Sequence, residues 1–416
     1  MIQRLETLYY QCLRHTEQDL APFHVLGGPN GSGKTTFLDA IAFLGDLVRN
    51  GLDAAIHTRA TDLRDLIWHG RTDRFEIAIE LPVPEPETNL FVDHAYPRCR
   101  YEIAIGTTED TRETGILAER VLLLTDNHRE DRAIQESLFP VDGPTPQSLA
   151  TPRVRGIKTI VNKVPGGNDK FYDETGAGWD PSFKLGPRRS ALANLPEDEI
   201  RFPISTWLKH TLSEGIRLLT LNSEQMRRPS PPGQPHYLLP NGANLPWAVA
   251  ALEEQAPVMF AAWLTLLRNV LPDLSTIHTV VRPEDRHCYL VVKHQNGLET
   301  PSWMLSGGTL RLLALTFLAN VPDYDGIFLI EEPENGIHPG AVETIFRALS
   351  TVPRAQILAT THSPVVLGLA KPEQLLCFDA SETGATQIVS GIDHPDLGNW
   401  QNGSDLNDML SGGVLR

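Results

Sequence analysis

Cysteine is scarce: Cys12, Cys99, Cys288 and Cys377 stand far apart in 416 residues, with no CxxC pair and no histidine at zinc-like spacing. That excludes a disulfide framework and a thiolate zinc site, and reads as reduced core thiols of a cytosolic protein. Long apolar runs are also missing. The two longest, around 257–267 and 312–321, fall well short of the ~18–20 residues that cross a bilayer, and no basic segment leads into an apolar run at the start. Neither secretion nor a membrane span is expected, and localisation is read as cytoplasmic. Positive charge is in deficit, with 36 Lys and Arg against 52 Asp and Glu for a formal net charge of −16. A broad basic field for nucleic acid or an anionic membrane is thereby excluded, and any such contact must be a local patch. Sustained a/d heptads and internal repeats are absent, which excludes a long coiled coil.

What remains is an ordinary globular composition, 41% hydrophobic and 21% charged, with 32 Gly and 32 Pro that predict many turns. The length allows one large α/β domain with an insertion, or two to three smaller ones. Phe23-His-Val-Leu26 reads as a strand running into glycines, and Phe37, Ala40, Ile41, Leu44 and Val48 then recur with the period of a helix with one buried face. Period-two alternation in 75–81 and 101–105, and more loosely in 121–124, predicts an antiparallel β layer. The segment 127–187 is polar and rich in Gly, Pro and Asp, and is expected to form long loops. Helical pieces are expected at 204–219 and 247–271, broken by a Pro-rich loop at 229–235, and strands at 276–282 and 288–294.

Between the first strand and the first helix lies Gly28-Pro29-Asn30-Gly31-Ser32-Gly33-Lys34-Thr35, followed by Thr36, which fits the phosphate-loop pattern G-x-x-x-x-G-K-[ST] in the context that pattern requires. Glycines let backbone amides turn inward on phosphates, and the N-terminus of the following helix adds its partial positive charge. Lys34 can reach the β and γ phosphates, and the Thr35 hydroxyl can ligate Mg²⁺. A nucleotide with Mg²⁺ is therefore the expected ligand.

Farther along, Gly326-Ile-Phe-Leu-Ile330 is a buried strand ending in Glu331-Glu332-Pro333. Glu331 would hold Mg²⁺ through its waters, and Glu332 would polarise the water that attacks the γ-phosphate. Upstream, Leu305-Ser306-Gly307-Gly308-Thr309 precedes an amphipathic helix, with Ser306 able to act as N-cap or phosphate donor. The letters alone do not separate an anion site from an ordinary Ser-Gly turn, and Leu-Ser-Gly-Gly recurs at 410–413 with no helix to follow. Downstream, 356–361 is strand-like and ends in His362-Ser363-Pro364, an imidazole placed to sense a γ-phosphate.

Taken in order, residues 28–35, 305–309, 331–339 and 361–364 resemble the Walker A, signature, Walker B with D-loop, and switch-histidine motifs of ABC-type ATPases. Their wording is similar to the non-transporter branch, RecF-like and SMC-like proteins, and especially bacterial ATPases like the overcoming-lysogenization-defect (OLD) family. The resemblance spans 1–50 and 303–378. It implies an α/β, ABC-type P-loop ATPase head with a mixed sheet, an antiparallel β layer and a helical insertion. Residues 1–125 would form the lobe with the P-loop, 126–300 a loop-rich and helical insertion, and 301–416 the lobe with the other motifs. It further implies a head-to-tail homodimer glued by ATP, in which Ser306, Gly307 and Gly308 meet the γ-phosphate on the partner's Lys34 and Glu334, Asn335 and His338 lie near the interface. Glu331 stands where many relatives carry Asp, and the stretch 66–70 holds no glutamine for a Gln-loop. Too few residues follow Pro364 for the Toprim nuclease domain of OLD proteins, so the expected role is an ATPase switch for a separate effector, a nuclease or toxin, in antiphage defence or DNA repair. Arg188-Arg189 and Arg227-Arg228 are the candidate local contacts for nucleic acid. The competing expectations are the ATP-driving subunit of a membrane transporter and a nucleotide-binding module without turnover.

Overall fold

The computed structural model describes residues 1–70, 72–85, 96–108, 112–125, 145–164, 166–176, 178, 180–321 and 325–394; the second Leu-Ser-Gly-Gly, at 410–413, lies outside them. In chain order, the hairpin β1 (Arg4–Tyr10) and β2 (Leu13–Asp19) leads to β3 (Phe23–Gly27), α1 (Lys34–Asn50) and α2 (Leu52–His57). Then come β4 (Arg74–Pro82), β5 (Arg98–Thr107), β6 (Thr114–Leu124), β7 (Ile157–Lys163), β8 (Asp169–Phe171) and β9 (Ser182–Phe183). Next are α3 (Pro203–His210), β10 (Ile216–Leu219), α4 (Ser223–Arg227), α5 (Leu245–Gln255), α6 (Pro257–Arg268), β11 (Leu274–Val281), β12 (Cys288–His294) and β13 (Glu299–Pro301). The final stretch holds α7 (Gly307–Leu318), β14 (Gly326–Glu331), α8 (Pro339–Ser350), β15 (Ala355–Thr361), α9 (Pro364–Leu369), β16 (Leu375–Ala380) and β17 (Thr386–Ser390). No described helix is long and apolar enough to cross a membrane.

Two compact units result. One comprises Met1–Ala21, Asn30–Ile216 and Phe378–Ile388; the other comprises Pro22–Pro29, Arg217–Cys377 and the described residues from Val389. This division does not follow the three segments expected from the sequence, because strand pairing, not chain order, decides which residues pack together.

The first unit is built on an antiparallel sheet in the order β2-β1-β4-β5-β6-β7-β8-β9. The alternation in 75–81 and 101–105 is thus a sheet pattern, and the described part of 127–187 adds three more short strands where loops were expected. On one face, Phe75 meets Phe43 of α1 edge-on, with ring centroids 5.5 Å apart, and Tyr10 at 5.0 Å. The other face is not solvated. Arg100, fully buried, pairs with Glu6 at 2.6 Å, Glu102 at 2.7 Å and Glu80 at 3.0 Å. Residues 147–151 lie across this layer and are held by their backbone. Arg74, Arg100 and Arg120 donate to the carbonyls of Gln147, Leu149 and Thr151, while Glu76 and Glu102 accept from the amides of Leu149 and Thr151.

The second unit holds β3, β14 and β15 of the six-stranded sheet β10-β14-β15-β3-β16-β17, with parts of β10, β16 and β17, and the antiparallel sheet β11-β12-β13. The expected helix at 204–219 ends early: its second half passes through a wide turn at Thr211–Gly215 into β10. The stretch 247–271 contains two helices broken at Ala256-Pro257, as a proline without an amide hydrogen dictates. Trp263 of α6 is fully buried, stacks edgewise on Phe317 at 5.7 Å and donates its indole N–H to Thr316 at 3.0 Å, which anchors α6 on α7.

Removing Arg100 would take a shared charge partner from buried Glu6, Glu80 and Glu102, although Glu80 keeps Arg98 and Glu102 keeps Arg120. Arg100→Met should lower unfolding free energy by about 3–5 kcal/mol, whereas Arg4→Met, whose partners Glu17 and Asp19 are exposed, should cost under about 1 kcal/mol. Chemical denaturation of the two variants checks this, and equal losses would contradict it.

Candidate nucleotide site

The P-loop begins where β3 stops. Gly27 is packed so closely that a Cβ there would lie 2.6 Å from the Leu367 side chain. Gly31 and Gly33 adopt left-handed φ values of 79° and 99°, which admit side chains only with strain. Helix α1 then starts at Lys34 with no side chain capping its first amides. An uncapped N-terminus of a 17-residue helix directly behind a glycine turn is a fit for phosphate. Lys34 is buried, with Nζ 3.4 Å from Ser32 Oγ, and Thr35 is exposed. Gly28 and Pro29 belong to the second unit, and Asn30, Gly31, Ser32, Gly33, Lys34, Thr35 and Thr36 to the first.

A brace around α1 went unseen in the sequence. The Thr36 hydroxyl donates to Gln11 Oε1 at 3.4 Å, and Gln11 Nε2 donates to Asp39 Oδ2 at 3.2 Å. Asp39 also accepts from the Tyr10 hydroxyl at 2.6 Å and from Arg59 Nε at 2.6 Å. Burial, reinforced by the Asp39 charge, pushes the Tyr10 pKa well above its ordinary value, so the phenol remains a donor. Tyr9, near the end of β1, and Gln11, in the β1–β2 turn, both sit at positive φ, 59° and 49°. Nothing in a local pattern announces a glutamine 25 residues before its partner.

In the second unit, parallel pairing levels three strand ends. Gly27 of β3 lies in register with Thr361 of β15, and Glu331 of β14 with Thr360. Gly28, Glu331-Glu332 and His362 therefore leave the sheet along one edge, the carboxyl edge at which open α/β sheets bind ligands. Glu331 is exposed. Glu332 takes a φ of 44°, costly for a residue with a side chain, and is over-determined there. Its amide donates to Thr360 O at 3.0 Å, its carbonyl accepts from Asn335 N at 2.9 Å, and Asn335 Nδ2 reaches its carboxylate at 3.3 Å. His362 Nε2 stands 3.7 Å from Glu332 Oε1. The expected acid and the expected histidine are thus neighbours.

Ser306 caps α7, accepting from Thr309 N at 3.0 Å. Gly308 is required by sterics, since a Cβ would lie 2.4 Å from the carbonyl of Gly336. Gly307 O accepts from Ser223 Oγ at 3.4 Å, Leu305 O from Arg227 Nε at 3.2 Å, and Arg311 donates to Asn335 O at 2.9 Å. An open groove of about 610 Å³ runs between Ser306, Gly308, Thr309, Gly336, His338 and Leu271. Arg227 is thereby engaged in holding the signature loop and in pairing with Glu224, and Arg188 lies 3.2 Å from Asp53, so neither is a bare cationic patch.

A P-loop strand in register with an acid-tipped strand and a histidine-tipped strand is the arrangement of an ABC-type P-loop ATPase head. The chain belongs to the family described as "AAA domain, putative AbiEii toxin, Type IV TA system", whose model matches residues 23–368. Its fold is similar to that of an SmcHead solved bound to the C-winged helix domain of ScpA, with a TM-score of 0.51, 16% identity, and coverage of 93% of this chain and 97% of that one. The SMC head domain from Thermotoga maritima gives a TM-score of 0.46 and 12% identity over 94% of this chain and 98% of that one. No curated protein matches the chain.

Gly308→Ala must push the Gly336 carbonyl aside, and should lower stability by about 1–3 kcal/mol. Thermal or chemical denaturation reads this, and an unchanged transition would contradict the packing of α7 against the turn after β14.

Proposed function

We propose that this chain binds and hydrolyses ATP, dimerises head to tail on ATP, and passes that state to a separate effector protein. The observation that carries the reading is the pairing of Glu332 with His362 at the level ends of β14 and β15, in register with the strand that feeds the P-loop. In this reading the amides of residues 30–35 and Lys34 hold the phosphates. Thr35 and Glu331 would hold Mg²⁺, which would supply positive charge to the phosphates. Glu332 orients the attacking water and takes its proton as the bond to the γ-phosphorus forms and the bond to the bridging oxygen breaks. His362, beside Glu332, donates to the γ-phosphate. Ser306, exposed, and Gly308, half-buried, line a groove at the N-terminus of α7 and would complete the site of a second copy.

The family's description names a putative toxin of a type IV toxin–antitoxin system, which is compatible with a toxin–antitoxin setting; antiphage defence is one pathway that the sequence resemblance implies. DNA repair is the other pathway compatible with the branch. The SmcHead of similar fold holds a winged-helix domain of another protein, and a head with net charge −16 favours a protein partner over a broad nucleic-acid groove.

Glu332→Gln should bind ATP, release phosphate about 10²–10⁴-fold more slowly and elute from gel filtration as a dimer only with ATP. Adding Lys34→Ala should abolish that shift. Elution of Glu332→Gln at the same volume with and without ATP would sink the proposal.

A further inference from the structure

Glu334 follows the catalytic strand end by three residues and reads in the sequence as an exposed acid of an interface turn. Its carboxylate instead points inward. Oε1 accepts a hydrogen bond from the hydroxyl of Thr361. The side chain enters an apolar recess formed by Phe23, Val25, Val342, Ile345, Phe346 and Val366. Oε2 is buried there with no hydrogen-bond partner among the described residues.

Thr361 is fully buried and ends β15 immediately before His362. Its hydroxyl donates to Glu334 and accepts from Ser363 N at 2.9 Å, so one oxygen clamps the backbone on both sides of the histidine. At the other end, the Glu334 carbonyl accepts from Ile337 N at 3.0 Å, closing the turn that also holds Glu332 through Asn335. A single side-chain bridge thus joins the turn carrying Glu332 to the turn carrying His362.

Stability does not account for this bridge. A buried carboxylate oxygen without a donor is a net liability, and an apolar pair of the same shape is commonly neutral or stabilising. We infer that Glu334 and Thr361 are positioning residues that fix His362 against Glu332 for ATP hydrolysis. This rests on the ATPase reading above, and adds to it two residues that touch neither phosphate nor metal.

The test is the double variant Glu334→Met/Thr361→Val, which replaces the polar bridge with apolar atoms of similar size, alongside Thr361→Ser, which keeps the hydroxyl. The full chain is assayed for phosphate release as a function of ATP, for binding of a fluorescent ATP analogue, and for thermal unfolding. The double variant should melt at or above the wild-type temperature and keep analogue affinity and KM, while kcat falls about 10- to 100-fold, as expected when reacting groups are misplaced by about an ångström. Thr361→Ser should keep most of the wild-type kcat. A double variant with wild-type kcat, or one whose melting temperature falls along with its analogue affinity, overturns the inference and leaves the ATPase reading standing. Absence of phosphate release from the wild type, with Lys34→Ala no different, overturns that reading and this inference with it.

Discussion

Parallel pairing of β14, β15 and β3 places Glu331 beside Thr360 and Thr361 beside Gly27, and the arrangement of the second unit's functional residues depends on that register. Side chains in a strand alternate faces every residue, so a slip of one position would turn the acid or the histidine away from the edge. The register is secured by burial: β3 and β15 are buried along their whole length and β14 along all but its ends. The apolar runs that make these segments strands are therefore the same feature that brings the strand ends level.

On this rigid edge, the polar groups are held in conformations that a relaxed chain would avoid. Glu332 sits at positive φ, and Glu334 buries an oxygen without a donor. Gly308 lies so close to Gly336 that any side chain there would have to displace its carbonyl. Each of these opposes stability, and each lies within the segment linking signature, acid and histidine. Departures from local preference concentrated at one edge, above a well-packed sheet, are the pattern of a working site rather than of a scaffold.

The parts legible in the sequence are those whose chemistry is local. The P-loop could be read because glycine spacing, Lys34 and the flanking strand and helix all lie within about fifteen residues of one another. Glu331, Glu332 and His362 could be read because each directly ends a short apolar run. The fold class followed from the same cues, whereas the division into units did not, because β3 pairs with β15 and β16 far along the chain, and β7, β8 and β9 join the sheet that β1 and β2 begin. Glu76, Glu80 and Glu102 alternate with apolar residues along β4 and β5 and are buried. Their burial depends on arginines that neutralise them, Arg74 and Arg100 from the same strands and Arg98, Arg100 and Arg120 from neighbouring ones, and the cross-strand pairs are revealed by no period within one strand. Gln11 and Glu334 were missed as bracing residues for the same reason: their partners, Thr36 and Thr361, are 25 and 27 residues away.

The central claim is that a working site is shared between two copies, one giving Lys34 and the other Ser306. Mixing two separately inactive proteins, Lys34→Ala and Ser306→Arg, tests it most directly. The account predicts that phosphate release returns on mixing, because a mixed dimer pairs the intact P-loop of one copy with the intact signature loop of the other. A mixture that stays as inactive as its components, while both still bind each other, would contradict it.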